Sequence, residues 1–252
     1  MLDGGHPSCH RLRAAGEAGL VSAGMAAFAM LSATGTGHGL AAVAGLVLAA
    51  LALYLSMRTG GRPVSLFALA APRRWTWALV GGGTALGAGL ALLYRWVWMP
   101  TAVPATLEPF VLVAMVIGAA EEVLYRGYVQ GRVSVALGVP RPVSPGRASA
   151  KARAAQAPRR THATPDHVIR LGATILLAAG AHTAYKTALF VRPPEGFEVD
   201  YGFLLVWTFV GGAAFGVLRA RAGSVWPAVA AHVSFDLLAY GDAAQTPWWV
   251  WM

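Results

Sequence analysis

The sequence predicts an all-α, polytopic transmembrane bundle of about seven spans, on three observations. The chain of 252 residues is 56% hydrophobic and 12% charged, with a mean hydropathy of +0.54, whereas soluble domains carry about 25% charged residues. Apolar runs recur seven times at lengths suited to about 30 Å of hydrocarbon, which takes about 20 helical residues. The basic residues also collect on alternate sides of those runs, as membrane insertion requires.

The predicted spans lie near 17–35, 39–57, 75–95, 108–132, 168–190, 201–219 and 224–241. Arg11 and Arg13 precede the first, and no small-residue cleavage site follows it, so it reads as a transmembrane helix rather than a signal peptide. Thr34 to Gly39 is a short uncharged turn. Gly81, Gly82, Gly83, Gly87 and Gly89 in the third span lack the Lys-Ser/Thr partner of a phosphate loop. Inside an apolar helix they serve close helix approach instead.

With the N-terminus cytoplasmic, 16 of the 20 basic residues fall on the inner side, eight of them between Arg132 and Arg170. The outer side receives Arg95, Arg192 and Lys186, together with the acids Glu108, Glu195, Glu198, Asp200 and Asp242. The expected location is therefore the cytoplasmic (inner) membrane. The net charge of +9 is explained by arginine retained in inner loops, and no nucleic-acid partner is expected. Cys9 is the only cysteine, which excludes a disulfide framework and a cysteine zinc site within the chain.

Three parts follow: three spans without motifs over 1–107, a core of four spans over 108–241, and an aromatic tail over 242–252. Gly138 to Thr164, within a loop at 138–165, is rich in Pro, Ala, Ser and Arg with no apolar period, and reads as a cytoplasmic linker. Trp248, Trp249 and Trp251 suit an outer aromatic belt, as do Trp75, Trp77, Trp96 and Trp98 around the third span.

The fourth span carries Glu121, Glu122 and Arg126 inside an apolar run from Phe110 to Val129. A charge at mid-bilayer costs roughly 2.5–3.5 kcal/mol on insertion scales, so such groups face a protein interior. On a helix Glu122 and Arg126 share a face in the favourable order and brace one another. Glu121 is turned about 100° from Glu122 and has no cation of its own in the motif. A dry, unneutralised carboxylate is disposed to take up a proton, as a general base must.

His182 lies in the fifth predicted span, and His232 and Asp236 lie four apart on one face of the seventh. Counted at 1.5 Å per residue from the cytoplasmic ends, Glu121 is roughly 16 Å deep, His182 roughly 20 Å and His232 roughly 12 Å. Helices of alternating direction bring the three near one level. His6, His10, His38, His162 and His167 fall in tails, loops or a helix entrance. Tyr125, Tyr128 and Tyr185 read as helix-packing aromatics.

Glu-Glu-x-x-x-Arg in one span, a His in a following span and His-x-x-x-Asp near the C-terminus together resemble the CPBP family of CAAX-prenyl and bacteriocin-processing intramembrane endopeptidases. The stretch Gly223 to His232 is similar to the lead-in of that family's last motif. The resemblance covers about residues 108–240. It departs at Ala178, where the family usually has Phe.

By position, the resemblance implies that Glu121 activates water and His182 holds it. His232 and Asp236 would polarise the scissile carbonyl and stabilise its oxyanion, or Asp236 would orient His232. A charged Asp236 cannot donate to an oxyanion, so it acts through His232 or in its protonated form. Glu122 and Arg126 are structural support. No cofactor is expected; the alternative is one zinc ion on Glu121, His182 and His232.

The expected partners are a protein or peptide substrate at the membrane and the lipid bilayer. Prenylated C-termini, peptide precursors and C-terminal sorting tails of the myxosortase type are the substrates the resemblance suggests. Composition rich in Ala, Gly and Arg points to a GC-rich bacterium and so towards the sorting tails. A proton-coupled transporter would use the same residue types, but no repeat between halves is evident. A non-catalytic immunity or partner protein on the same scaffold would have no need of all four polar residues.

Overall fold

The computed structural model describes residues 7–33, 67–69, 74–98, 104, 106–139, 164–192 and 199–241. The helices are α1 (Pro7–Ala33), α2 (Arg74–Trp98), α3 (Phe110–Glu122), a π-helical segment (Val123–Val129), α4 (Gln130–Ala136), α5 (Pro165–Leu189), α6 (Tyr201–Ala222) and α7 (Trp226–Tyr240). Among the described residues there is no strand, and the fold is all-α.

Among the described residues four helices are long and apolar enough to cross a membrane: Ser8–Leu31, Trp77–Val97, Pro165–Leu189 and Tyr201–Ala222. They coincide with the first, third, fifth and sixth predicted spans, and the protein is a multi-pass membrane protein. The fourth predicted span is a helical rod from α3 to α4, interrupted by the π-helical segment. The seventh is shorter than expected: α7 has 15 residues, roughly 22 Å at 1.5 Å per residue, less than a full crossing. The predicted span 39–57, the turn at 34–39, most of the loop 138–165 and the tail 242–252 lie outside the described residues.

Local signals account for the helix ends. Thr164 caps α5 by accepting the His167 N–H, with Pro165 in the first turn. Asp200 caps α6 by accepting the Phe203 N–H at 2.9 Å. That helix stops at Gly223, whose φ of +65° suits glycine. Three residues later α7 begins, with Pro227 in its first turn. At its far end the carbonyls of Leu238 and Ala239 accept from the buried Arg95 guanidinium at 3.3 and 3.1 Å. Arg95, expected on the outer side, thus satisfies carbonyls that a helix end leaves without partners.

Close approach of backbones places α7 against α2. A Cβ on Gly83 would overlap the Pro227 carbonyl, and one on Gly87 would overlap the Ala231 carbonyl and the Ser234 hydroxyl. Ser234 donates to Ala230 O at 2.7 Å and also lies 3.1 Å from Thr84 O of α2. Of the five glycines expected to serve packing, these two do so, whereas Gly81, Gly82 and Gly89 have nothing within 4 Å among the described residues. The outer surfaces carry exposed Leu92, Leu93, Leu112, Val116, Leu176, Leu177, Val206 and Val210, as lipid-facing helices do.

The α2–α7 contact generates a paired expectation. Gly87→Ala must push the helices apart, and overpacking costs about 1–3 kcal/mol, so the unfolding midpoint in detergent should fall. Gly89→Ala, on the same helix with nothing within 4 Å, should leave that midpoint unchanged or slightly raised.

Candidate active site

The Glu-Glu-x-x-x-Arg motif straddles the junction where α3 becomes π-helical: Glu121 and Glu122 end the α-helix and Arg126 lies inside the π segment. An uninterrupted α-helix was expected there. Instead the Gln130 N–H bonds to Tyr125 O, the wider i→i+5 spacing. Glu122 and Arg126 still pair, Oε2 to Nε at 3.3 Å, with both side chains fully buried.

Arg126 does more than brace its neighbour. One terminal nitrogen donates to Ala178 O at 3.4 Å, and the other lies 3.3 Å from His182 Nδ1, both on α5. Guanidinium only donates, so His182 Nδ1 accepts and its Nε2 carries the proton. That Nε2–H faces Glu121 Oε2 at 3.2 Å. The Arg126 contact therefore assigns the tautomer that lets His182 donate to Glu121.

On α7, His232 Nδ1 lies 3.0 Å from Glu122 Oε1, and its Nε2 lies 3.8 Å from Glu121 Oε2 and 3.9 Å from Asp236 Oδ1. Glu122 rather than Asp236 thus holds the Nδ1 side of this ring. Glu122 is consequently shared between the Arg126 brace and His232. The contacts run from Glu121 through His182, Arg126, Glu122 and His232 back to Glu121, closing a circuit that joins α3, the π segment, α5 and α7. All four expected polar residues and both supporting ones belong to one buried cluster.

One expectation fails. Glu121 does not stand without a cation, because Lys186 Nζ of α5 lies 2.5 Å from Oε1. A carboxylate only 5% exposed in an apolar bundle loses several kcal/mol of hydration, and this ammonium compensates it. Lys186 was placed with the outer-side residues. Its signal was present, since it lies four residues beyond His182 on the same helical face at membrane depth. Its ion pair occupies one oxygen of Glu121 and leaves Oε2 to the two imidazoles.

Glu17 of α1 is a second polar group that the sequence reading passed over. It is buried, ion-paired with Arg132 and with Arg13 (3.2 Å), and accepts from the Tyr128 hydroxyl at 3.3 Å. This cluster ties α1 to the end of the π segment.

Glycine makes room for the circuit. A Cβ on Gly118 would overlap the Asp236 carboxylate and stand 2.9 Å from the His232 ring, and one on Gly212 would stand 2.8 Å from Arg126 Nη2. Beside the circuit lies a cavity of about 340 Å³ lined by His182, Lys186, His232 and Asp236 at one end and by aromatic residues, including Tyr94, Phe203 and Trp207, elsewhere. Three of those polar residues also contact or approach Glu121.

Removing one partner of a buried ion pair typically costs about 3–5 kcal/mol. Glu122→Gln leaves Arg126 without its carboxylate and weakens the hold on His232. The thermal midpoint of the purified protein should drop well below that of Glu121→Gln, which strands only Lys186, a cation 17% exposed and within reach of water, whereas Arg126 is fully buried.

A scan of protein-family descriptions matches residues 103–238 to type II CAAX prenyl endopeptidase Rce1-like, more than half of the chain, and this stretch contains every residue of the circuit. No curated protein and no solved structure gives a significant match. With the three motifs assembled on three packed helices, the chain belongs to the Rce1-like family of CAAX-type intramembrane endopeptidases, hydrolases acting on peptide bonds.

Proposed function

We propose that the protein hydrolyses a peptide bond in a membrane-proximal or C-terminal segment of a protein substrate, by direct attack of water activated at Glu121. The observation that carries this reading is the convergence on Glu121 Oε2 of His182 Nε2 at 3.2 Å and His232 Nε2 at 3.8 Å, beside a cavity that both rings line. Glu121 accepts the proton of a water that attacks the scissile carbonyl, while His182 steadies the water and the carboxylate. His232 donates Nδ1–H to Glu122 and, doubly protonated among three carboxylates, offers Nε2–H with Asp236 beside it to the carbonyl oxygen as negative charge develops. Collapse of the tetrahedral intermediate returns the proton from Glu121 to the leaving amine. Ser234 donates into its own helix and lies against α2, which supports water rather than a serine as the nucleophile.

The residues present fit a metal poorly, and this supports a reaction without one. A zinc ligand offers a lone pair, yet His182 Nε2 bears the proton in the tautomer that Arg126 dictates. The Lys186 ammonium beside Glu121 would also repel a cation. Among the described residues no group of three or more His, Cys, Asp or Glu is arranged to hold a metal ion.

Among substrates, C-terminal sorting tails of bacterial proteins are favoured over prenylated C-termini by the Ala-, Gly- and Arg-rich composition. The test is cleavage of candidate tail substrates by purified protein. Glu121→Gln should abolish turnover while leaving the folded bundle intact, a loss of at least about 10²–10⁴-fold for a general base. Turnover by that variant at the normal rate refutes the assignment. A chelator should leave the native rate unchanged, and zinc-restorable loss would put a metal in the reaction.

A further inference from the structure

The cavity has a direction. Its polar end is formed by His182, His232 and Asp236, and it runs from there to Phe190, Val199, Asp200 and Tyr240, where α5 ends, α6 begins and α7 ends. On the opposite side of the circuit the bundle is filled by Tyr125, Arg126, Tyr128 and Gln130, each 0% exposed, and Gln130 donates to Gly216 O of α6 at 3.0 Å. The site therefore connects to one end of the bundle and is closed towards the other.

The two ends differ in charge. The closed end carries Arg11 and Arg13 at the start of α1, Arg132 in the short α4, Arg170 in the first turns of α5, and Arg219 and Arg221 in the last turn of α6. In sequence, the connection between α4 and α5 contains Arg141, Arg147, Lys151, Arg153, Arg159 and Arg160. Among the described residues the cavity end has three basic ones, Arg95, Lys186 and Arg192, of which Arg95 is bonded to the α7 carbonyls and Lys186 to Glu121. Lysine and arginine near span ends are retained on the cytoplasmic side.

We propose that the active site is entered from the non-cytoplasmic face of the membrane, so that the substrate is a membrane-anchored protein whose apolar segment is displayed on that outer surface. Aromatic walls of Tyr94, Phe203, Trp207, Phe235 and Tyr240 suit an extended apolar stretch of polypeptide next to the scissile bond. That a substrate enters there rests on the proposed endopeptidase activity, whereas the sidedness of the cavity does not.

Because Cys9 is the only cysteine, Cys9→Ser provides a background for single-cysteine variants. Arg192→Cys and Val199→Cys report the cavity end, and Arg221→Cys reports the closed end. In spheroplasts of an expressing host, a membrane-impermeant maleimide should label positions 192 and 199 as fully as after permeabilisation. Position 221 should label at most roughly a tenth as strongly until the membrane is opened. The reverse pattern, or equal labelling of both ends in sealed cells, overturns the proposal. Labelling of 192 with 199 protected even in detergent overturns entry at this end. If the labelling is as expected but Glu121→Gln still cleaves, the catalytic assignment alone fails.

Discussion

The structure depends on neutralising a set of charges that cannot be hydrated. Glu121, Glu122 and Asp236 lie among apolar helices with Arg126, Lys186 and two imidazoles, and none of these groups is more than 8% exposed except Lys186. Taken singly, each would cost several kcal/mol to bury. Arranged as a circuit, every charged group has an opposite charge or a hydrogen-bonding ring within about 4 Å. Such a network is satisfied only when α3, α5 and α7 have one mutual register, because in any other the fully buried Glu122 and Arg126 would lose the partners they have on α5 and α7.

That requirement explains otherwise unremarkable residues around it. Gly118 and Gly212 leave space for the α7 side chains and the guanidinium, and Gly83 and Gly87 bring α7 against α2. Ala178 is fully buried and offers its carbonyl to Arg126. The short α7 is anchored at one end by Pro227 and at the other by Arg95. It is thus held by backbone contacts as well as by His232. Small residues set the distances, and the charged ones then fix the orientation.

Much of this was legible in the chain before folding, and the parts that were not share a physical cause. Glu122 with Arg126 follows from helical spacing, and His182, His232 and Asp236 stand out because polar groups in apolar runs need partners. Caps at Thr164, Asp200 and Gly223 sit where their side-chain chemistry places them. The pairing of Lys186 with Glu121 was missed because it spans 65 positions: the spacing from His182 puts Lys186 on the right helical face but does not say how α5 is rotated against α3. Glu17 with Arg132 is hidden for the same reason. The π-helical turn has no composition signal here, since Val123 to Val129 would serve equally in an α-helix. The cavity escaped because its aromatic walls are drawn from α2, α6 and α7, and only packing brings them together.

The central claim is that Glu121 and His182 act on one water as a unit rather than as two separate aids to cleavage. A double-mutant cycle in single-turnover cleavage tests this most directly, comparing Glu121→Gln, His182→Gln and the pair. Residues that work as a unit are strongly non-additive, so the double variant should be no slower than Glu121→Gln alone. Losses that multiply would contradict the account and separate the two residues into independent roles.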